Sequence, residues 1–125
     1  MWTLIGKKTC STCREVEKLA KQVGLNYRYR EITQEIPSAD ELADWFAASG
    51  ETSPKKLMNT SGDKYRQENY KDRLACLPLE EQWALIAQDG MLIKRPLLVG
   101  PNGQVYIGSK VKTFLSEFEK GDTNV

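Results

Sequence analysis

Cys10 and Cys13 are separated by Ser11 and Thr12. A C-x-x-C pair of this kind can attack a substrate with one thiol and resolve the product with the other. The chain contains no histidine, so sulfur chemistry has few rivals. The thiolate is the reactive form, and a free cysteine is mostly protonated at neutral pH. A position at the start of a helix would favour the anion at Cys10 through unpaired backbone N–H groups and the positive end of the macrodipole. Ser11 and Thr12 add hydroxyl donors, and Lys7, Lys8 and Arg14 make the surroundings basic. Cys13, one helical turn further in, is expected to be shielded and suited to resolving a mixed disulfide. Cys10 is thus the expected nucleophile and Cys13 the expected resolving thiol.

Other uses of the pair are weaker. A zinc site needs two more ligands, and only Cys76 and carboxylates remain. Two buried structural cysteines stay open as an alternative, because cysteine packs as a small hydrophobe. A phosphatase-type C-x5-R loop is absent. Cys76, within Leu74-Ala75-Cys76-Leu77-Pro78, reads as a packing residue.

The elements that must position the motif follow from local pattern. Trp2 to Ile5 reads as a buried strand ended by Gly6. Val16, Leu19, Ala20 and Val23 fall at helical spacing, with Gly24 as the stop. Tyr27, Tyr29 and Ile32 suggest a second strand, which completes a βαβ unit. Ser38 with Glu41 forms a capping box ahead of Leu42, Trp45 and Phe46, and Gly50 closes that helix. Ser53-Pro54 is expected to start another helix, and Asn59 to Gly62 to break it. Tyr65, Arg66 and Arg73 read as a solvated helix face, and Trp45, Phe46 and Trp83 as core. A further helix is expected from Pro78 to Gly90, with Leu79, Trp83 and Ile86 on its apolar face. Leu92-Ile93 and Leu97 to Val99 read as strands flanking Arg95-Pro96. Asn102-Gly103 turns the chain into Gln104 to Ile107, a hairpin signal. Ser109 is expected to cap a closing helix with Val111, Phe114, Leu115 and Phe118 on one face.

The 125 residues are most simply one domain over 1–120, followed by a frayed tail over 121–125. A hydrophobic fraction of 40% with 28% charged residues is ordinary for a globular protein, and the formal charge of +1 gives no bulk drive toward nucleic acid. No apolar stretch reaches bilayer-spanning length, and the N-terminus lacks the regions of a signal peptide. The expectation is a cytoplasmic monomer that contacts neither membrane nor nucleic acid. Three cysteines do not make a secreted disulfide scaffold.

Cys10-Ser11-Thr12-Cys13, Asn59-Thr60-Ser61-Gly62-Asp63-Lys64-Tyr65-Arg66 and Asp89-Gly90-Met91-Leu92-Ile93-Lys94-Arg95-Pro96, in this order and spacing, resemble the ArsC/Spx family. The resemblance runs from about Leu4 to Phe118. It implies an α/β, thioredoxin-like (glutaredoxin-like) fold. Its mixed sheet would carry a helical insertion between the βαβ unit and the C-terminal ββα unit. It also implies a cis peptide bond before Pro96, beside the active cysteine.

One branch of the family reduces arsenate with a single cysteine, matched here by Cys10, and holds the oxyanion with arginines, one matched by Arg95. The other two arginine positions fall at Asn59 and Gly108, neither of which offers a guanidinium fork. The resemblance therefore implies thiol–disulfide chemistry on a small oxyanion or disulfide more than arsenate reduction itself. Cys10, Cys13 and Arg95 would be catalytic, with Ser11, Thr12, Asn59 and Pro96 lining the substrate. Arg95 could instead be a solvated strand-end residue or the ion-pair partner of Glu15. Glutathione, glutaredoxin or thioredoxin would be the reductant, and no bound cofactor or metal is expected. The Spx-like branch uses the C-x-x-C as a redox switch and binds the RNA polymerase α subunit. Ser53 stands where that branch's contact glycine is expected. The Asn-Thr-Ser-Gly and Tyr-Arg segments are most similar to a third group, small ArsC-like bacterial proteins.

Overall fold

The computed structural model describes residues 1–118, so the tail expected over 121–125 lies outside the described residues. The elements run β1 (Trp2–Gly6), α1 (Ser11–Gln22), β2 (Tyr27–Glu31), α2 (Ala39–Ser49), α3 (Asp63–Gln67), α4 (Tyr70–Ala75), α5 (Leu79–Ile86), β3 (Leu97–Val99), β4 (Val105–Ile107) and α6 (Ser109–Phe118). The chain divides into two compact units, one formed by Met1–Glu31 with the chain from Arg95 onward, the other by Ile32–Lys94.

In the first unit, the four strands form one sheet in the order β2-β1-β3-β4. β1 and β2 are parallel, with Leu4 opposite Tyr29, and α1 connects them as the expected βαβ unit. β1 pairs antiparallel with β3, and β3 with β4, so Leu4, Leu98 and Tyr106 stand side by side across the sheet. Leu4 and Leu98 pack with Val16 and Ala20 of α1 and Val111 and Leu115 of α6. Each aliphatic side chain buried this way contributes about 1.5–3 kcal/mol. Phe114 stacks on Tyr106 with ring centroids 4.3 Å apart, at the edge of the same core. The mixed sheet with helices is thioredoxin-like. The Arg95–Pro96 peptide is cis, as the family resemblance implies.

The second unit is the helical insertion. Ser38 accepts from the Glu41 N–H at 3.1 Å, and Glu41 accepts from the Ser38 N–H at 3.0 Å, so the capping box forms as expected. Gly50, at φ +77°, ends α2. Trp45 and Trp83 are buried, and Phe46 packs half-buried on Trp83. The segments around residues 59 and 91 are tied together: the Asn59 N–H donates to Leu92 O at 2.8 Å, and the Lys94 N–H to Leu57 O at 2.8 Å.

Several local expectations are corrected. The helix expected after Ser53 is a single 3-10 turn, Pro54–Leu57. The helix expected to reach Gly90 ends at Ile86, and Gly90–Leu92 forms a separate 3-10 turn capped by Asp89. Leu92-Ile93 is no strand; Ile93 makes one isolated bridge to Met58. Leu79, at the first position of α5, is exposed, as is Cys76 at the end of α4. Tyr65 leaves the solvated face assigned to it. It is buried and stacks on buried Tyr70, while Arg73 lies over the Tyr70 ring at 4.3 Å. Ser109 is the first residue of α6 rather than its cap. No helix among the described residues is long and apolar enough to cross a membrane.

Candidate active site

β1 ends at Gly6, and a turn closed by the Cys10 N–H donating to Lys7 O at 2.9 Å delivers Cys10 to the N-cap of α1. Its φ and ψ of −85° and 122° are extended, while its carbonyl already accepts from the Arg14 N–H at 3.0 Å. The Cys10 sulfur is therefore placed over the first turn of a twelve-residue helix, where N–H groups have no internal partners. Cys10 is half-buried and free. Burial raises its pKa, but the Cys13 N–H, the Cys13 thiol, the Thr12 N–H and the Arg95 charge together bring it below the ordinary value of 9.0. None of these closes a full capping hydrogen bond in the resting chain. The donors are thus the backbone groups of Thr12 and Cys13; Ser11 and Thr12 are exposed at the motif's rim.

Cys13 lies on the inner face of α1, only 3% exposed. Its thiol is pushed up to about 11, by burial first and then by donation to Cys10 and the Cys10 charge, against a lowering from the Lys7 N–H and Arg95. The two thiols, identical in solution, are thereby shifted in opposite directions, Cys10 toward the thiolate and Cys13 toward the thiol.

Arg95 precedes β3 at the cis bond to Pro96, and Pro96 O accepts from the Gly108 N–H at 2.8 Å. The guanidinium is close enough for its charge to lower both thiols. Its Nε and Nη1 are buried and have no hydrogen-bond partner among the described residues. Neither the solvated strand-end reading nor a Glu15 ion pair describes this arrangement. Two buried guanidinium nitrogens with unused donors are costly, and donors of this kind can receive an anion. Pro96 is buried in the same unit. Asn59 belongs to the other unit, where its Nδ2 donates to Met91 O at 3.1 Å.

Three residues of the surroundings were not singled out by the sequence. Gly6 leaves room for Cys13: a Cβ there would stand 3.0 Å from its sulfur and 3.5 Å from the Tyr29 hydroxyl. Tyr29 donates to Glu31 at 3.2 Å, and the same carboxylate oxygen accepts from the Lys8 N–H at 3.1 Å. Burial and the Glu31 charge raise the Tyr29 pKa strongly. The two-residue spacing of Tyr29 and Glu31 on one strand face was the signal available.

The chain thus presents a C-x-x-C at the N-terminus of the first helix of a thioredoxin-like domain. The chain belongs to the ArsC family, whose sequence model matches residues 5–116. It is 40% identical over 105 residues to YusI of Bacillus subtilis (strain 168), covering 84% of this chain and 87% of that protein. The crystal structure of "a possible arsenate reductase" from Streptococcus mutans UA159 superposes with a TM-score of 0.76 at 40% identity, over 85% of this chain and 87% of that one. The global transcriptional regulator Spx of Listeria innocua serovar 6a is 25% identical over 99 residues, 79% of this chain and 73% of that protein.

Proposed function

We propose that this ArsC-family chain is a thiol–disulfide oxidoreductase in which Cys10 attacks and Cys13 resolves. The observation that carries the reading is the placement of the thiols, Cys10 half-buried at a helix N-cap and Cys13 buried one turn further in, which shifts their pKa values down and up respectively. In the first step the Cys10 thiolate attacks a disulfide R–S–S–R′, forming Cys10–S–S–R and releasing R′S⁻. Cys13 then attacks the Cys10 sulfur as it loses its proton, forming the intramolecular disulfide and releasing RS⁻. Two electrons from glutathione, glutaredoxin or thioredoxin restore the dithiol. The free guanidinium edge of Arg95 fits an anionic group on the substrate, such as a carboxylate or small oxyanion. Arsenate reduction is not the favoured activity, because Asn59 and Gly108 stand where two further arginines would be needed.

A glutathione-coupled assay with a small synthetic disulfide tests this reading. Turnover by wild type, none by Cys10→Ser, and a Cys10 mixed disulfide accumulating in Cys13→Ser are expected. Full activity in Cys10→Ser would refute it. The likeness to Spx supports a second reading, in which the disulfide state controls binding to the RNA polymerase α subunit. Pull-down with that subunit decides it; no retention in either redox state would sink it.

A further inference from the structure

The helical unit carries a cavity that the thiol chemistry does not use. Its volume is about 490 Å³, and it is lined by Lys55, Thr60, Tyr65, Arg66, Asn69 and Lys71. Three cations face it and no carboxylate does, although the chain as a whole is almost neutral. Lys55 and Lys71 form no ion pair with a described residue. Arg66 has one partner, Asp63 at 3.6 Å, in a pair largely exposed to water and so worth little. Thr60 and Asn69 place neutral hydrogen-bonding groups on the same wall, and buried Tyr65 supplies a ring.

A second cavity of about 280 Å³ meets the first across Lys55, Tyr65 and Lys71. Its remaining wall is different in chemistry, with Met58, Leu74 and Ala75 beside Gln82 and a single carboxylate, Asp72. The two lobes therefore share Lys55, Tyr65 and Lys71 and differ in the rest of their lining: Arg66 with Thr60 and Asn69 in the first, Met58, Leu74 and Ala75 with Asp72 and Gln82 in the second. Volumes of this size are those of small-molecule sites, in which an apolar lining provides affinity and a few polar groups fix orientation.

We infer that this two-lobed cavity binds a small soluble phosphate monoester with an apolar body. The phosphate sits among Lys55, Arg66 and Lys71, and the apolar body extends along Tyr65 toward Met58 and Leu74. Asp72 disfavours an anion in the second lobe and so sets the direction of binding. Every lining residue of both lobes belongs to the helical unit, whereas Arg95 belongs to the other.

The test is an amide chemical-shift titration of the full chain with hexyl phosphate, inorganic phosphate and 1-hexanol in turn. Hexyl phosphate is expected to shift the Thr60, Tyr65 and Asn69 amides saturably and to bind about tenfold more tightly than either fragment, a difference of about 1.4 kcal/mol. The double variant Lys55→Gln/Lys71→Gln, both positions being exposed, should weaken binding by at least about tenfold. Arg95→Ala should leave it unchanged. Equal binding of hexanol or phosphate, an unaffected double variant, or loss of binding in Arg95→Ala would each overturn the inference. So would retention on phosphatidic acid vesicles without binding of soluble hexyl phosphate, which would place the chemistry at a lipid surface.

Discussion

The sulfur of Cys13 rests against Gly6, so that a Cβ on residue 6 would stand 3.0 Å from it and 3.1 Å from the Cys13 Cβ. Both contacts are with the first atoms of a side chain that α1 holds in place, which leaves little freedom to yield. Gly6→Ala is predicted to destabilise the fold by about 1–3 kcal/mol through overpacking. It should also slow the resolving step more than the first attack, because it displaces Cys13 and leaves the Cys10 cap in place. Urea denaturation gives the first quantity, and rapid-quench analysis of mixed-disulfide decay gives the second.

Replacing Arg95 should separate reactivity from stability. Its Nε and Nη1 are buried without partners, while its charge favours both thiolates. Arg95→Met keeps the aliphatic stem and removes the orphaned donors, so the melting temperature is expected to hold or rise. Cys10 alkylation at neutral pH should fall, because the Arg95 charge is one of the groups that lower its pKa. Calorimetry and alkylation kinetics on one preparation would check both directions.

Alkaline pH should weaken the fold through Cys13. Its folded pKa of about 11 exceeds the ordinary 9.0, so the native state binds this proton more tightly than the unfolded chain. The stabilisation is complete below pH 9 and is lost as pH rises through the folded value, by up to about 3 kcal/mol. Denaturation of wild type and Cys13→Ala from pH 8 to 11 isolates the contribution: the variant should show a shallower decline.

In the helical unit, Ser38→Ala removes the acceptor of the Glu41 N–H and half of a reciprocal cap. A loss of about 1 kcal/mol is expected. Denaturant midpoints measure it, and thiol reactivity should be unaffected.

The contrast between Ser38 and Tyr65 shows what the sequence made legible. Ser38-Glu41, Cys10-Cys13 and the apolar run of β1 are local signals, read within one helical turn or one strand, and each was found where expected. Tyr65 was misplaced because α3 and α4 are five and six residues long, too short for a period to appear, and are broken by Asn69 at φ +56°. Cys76 and Leu79 sit in an apolar-looking stretch but fall at helix ends, where burial is not set by composition. At the site, the thiols were legible from type and spacing, and Arg95 only from its place in the family resemblance. Gly6 and Tyr29 were not, since their closeness to Cys13 arises only when β1, α1 and β2 assemble.

The central claim is that one thiol of the pair ionises more readily than an unperturbed cysteine while the other is held as a protonated resolving group. Competitive alkylation with isotope-coded iodoacetamide at neutral pH, resolved by peptide mass spectrometry, reads this most directly. Cys10 should label far faster than Cys13, and exposed Cys76 supplies an internal reference. Cys10 labelling ahead of Cys76, with Cys13 last, is the predicted order. Cys10 labelling no faster than Cys76, or Cys13 labelling first, would contradict the account.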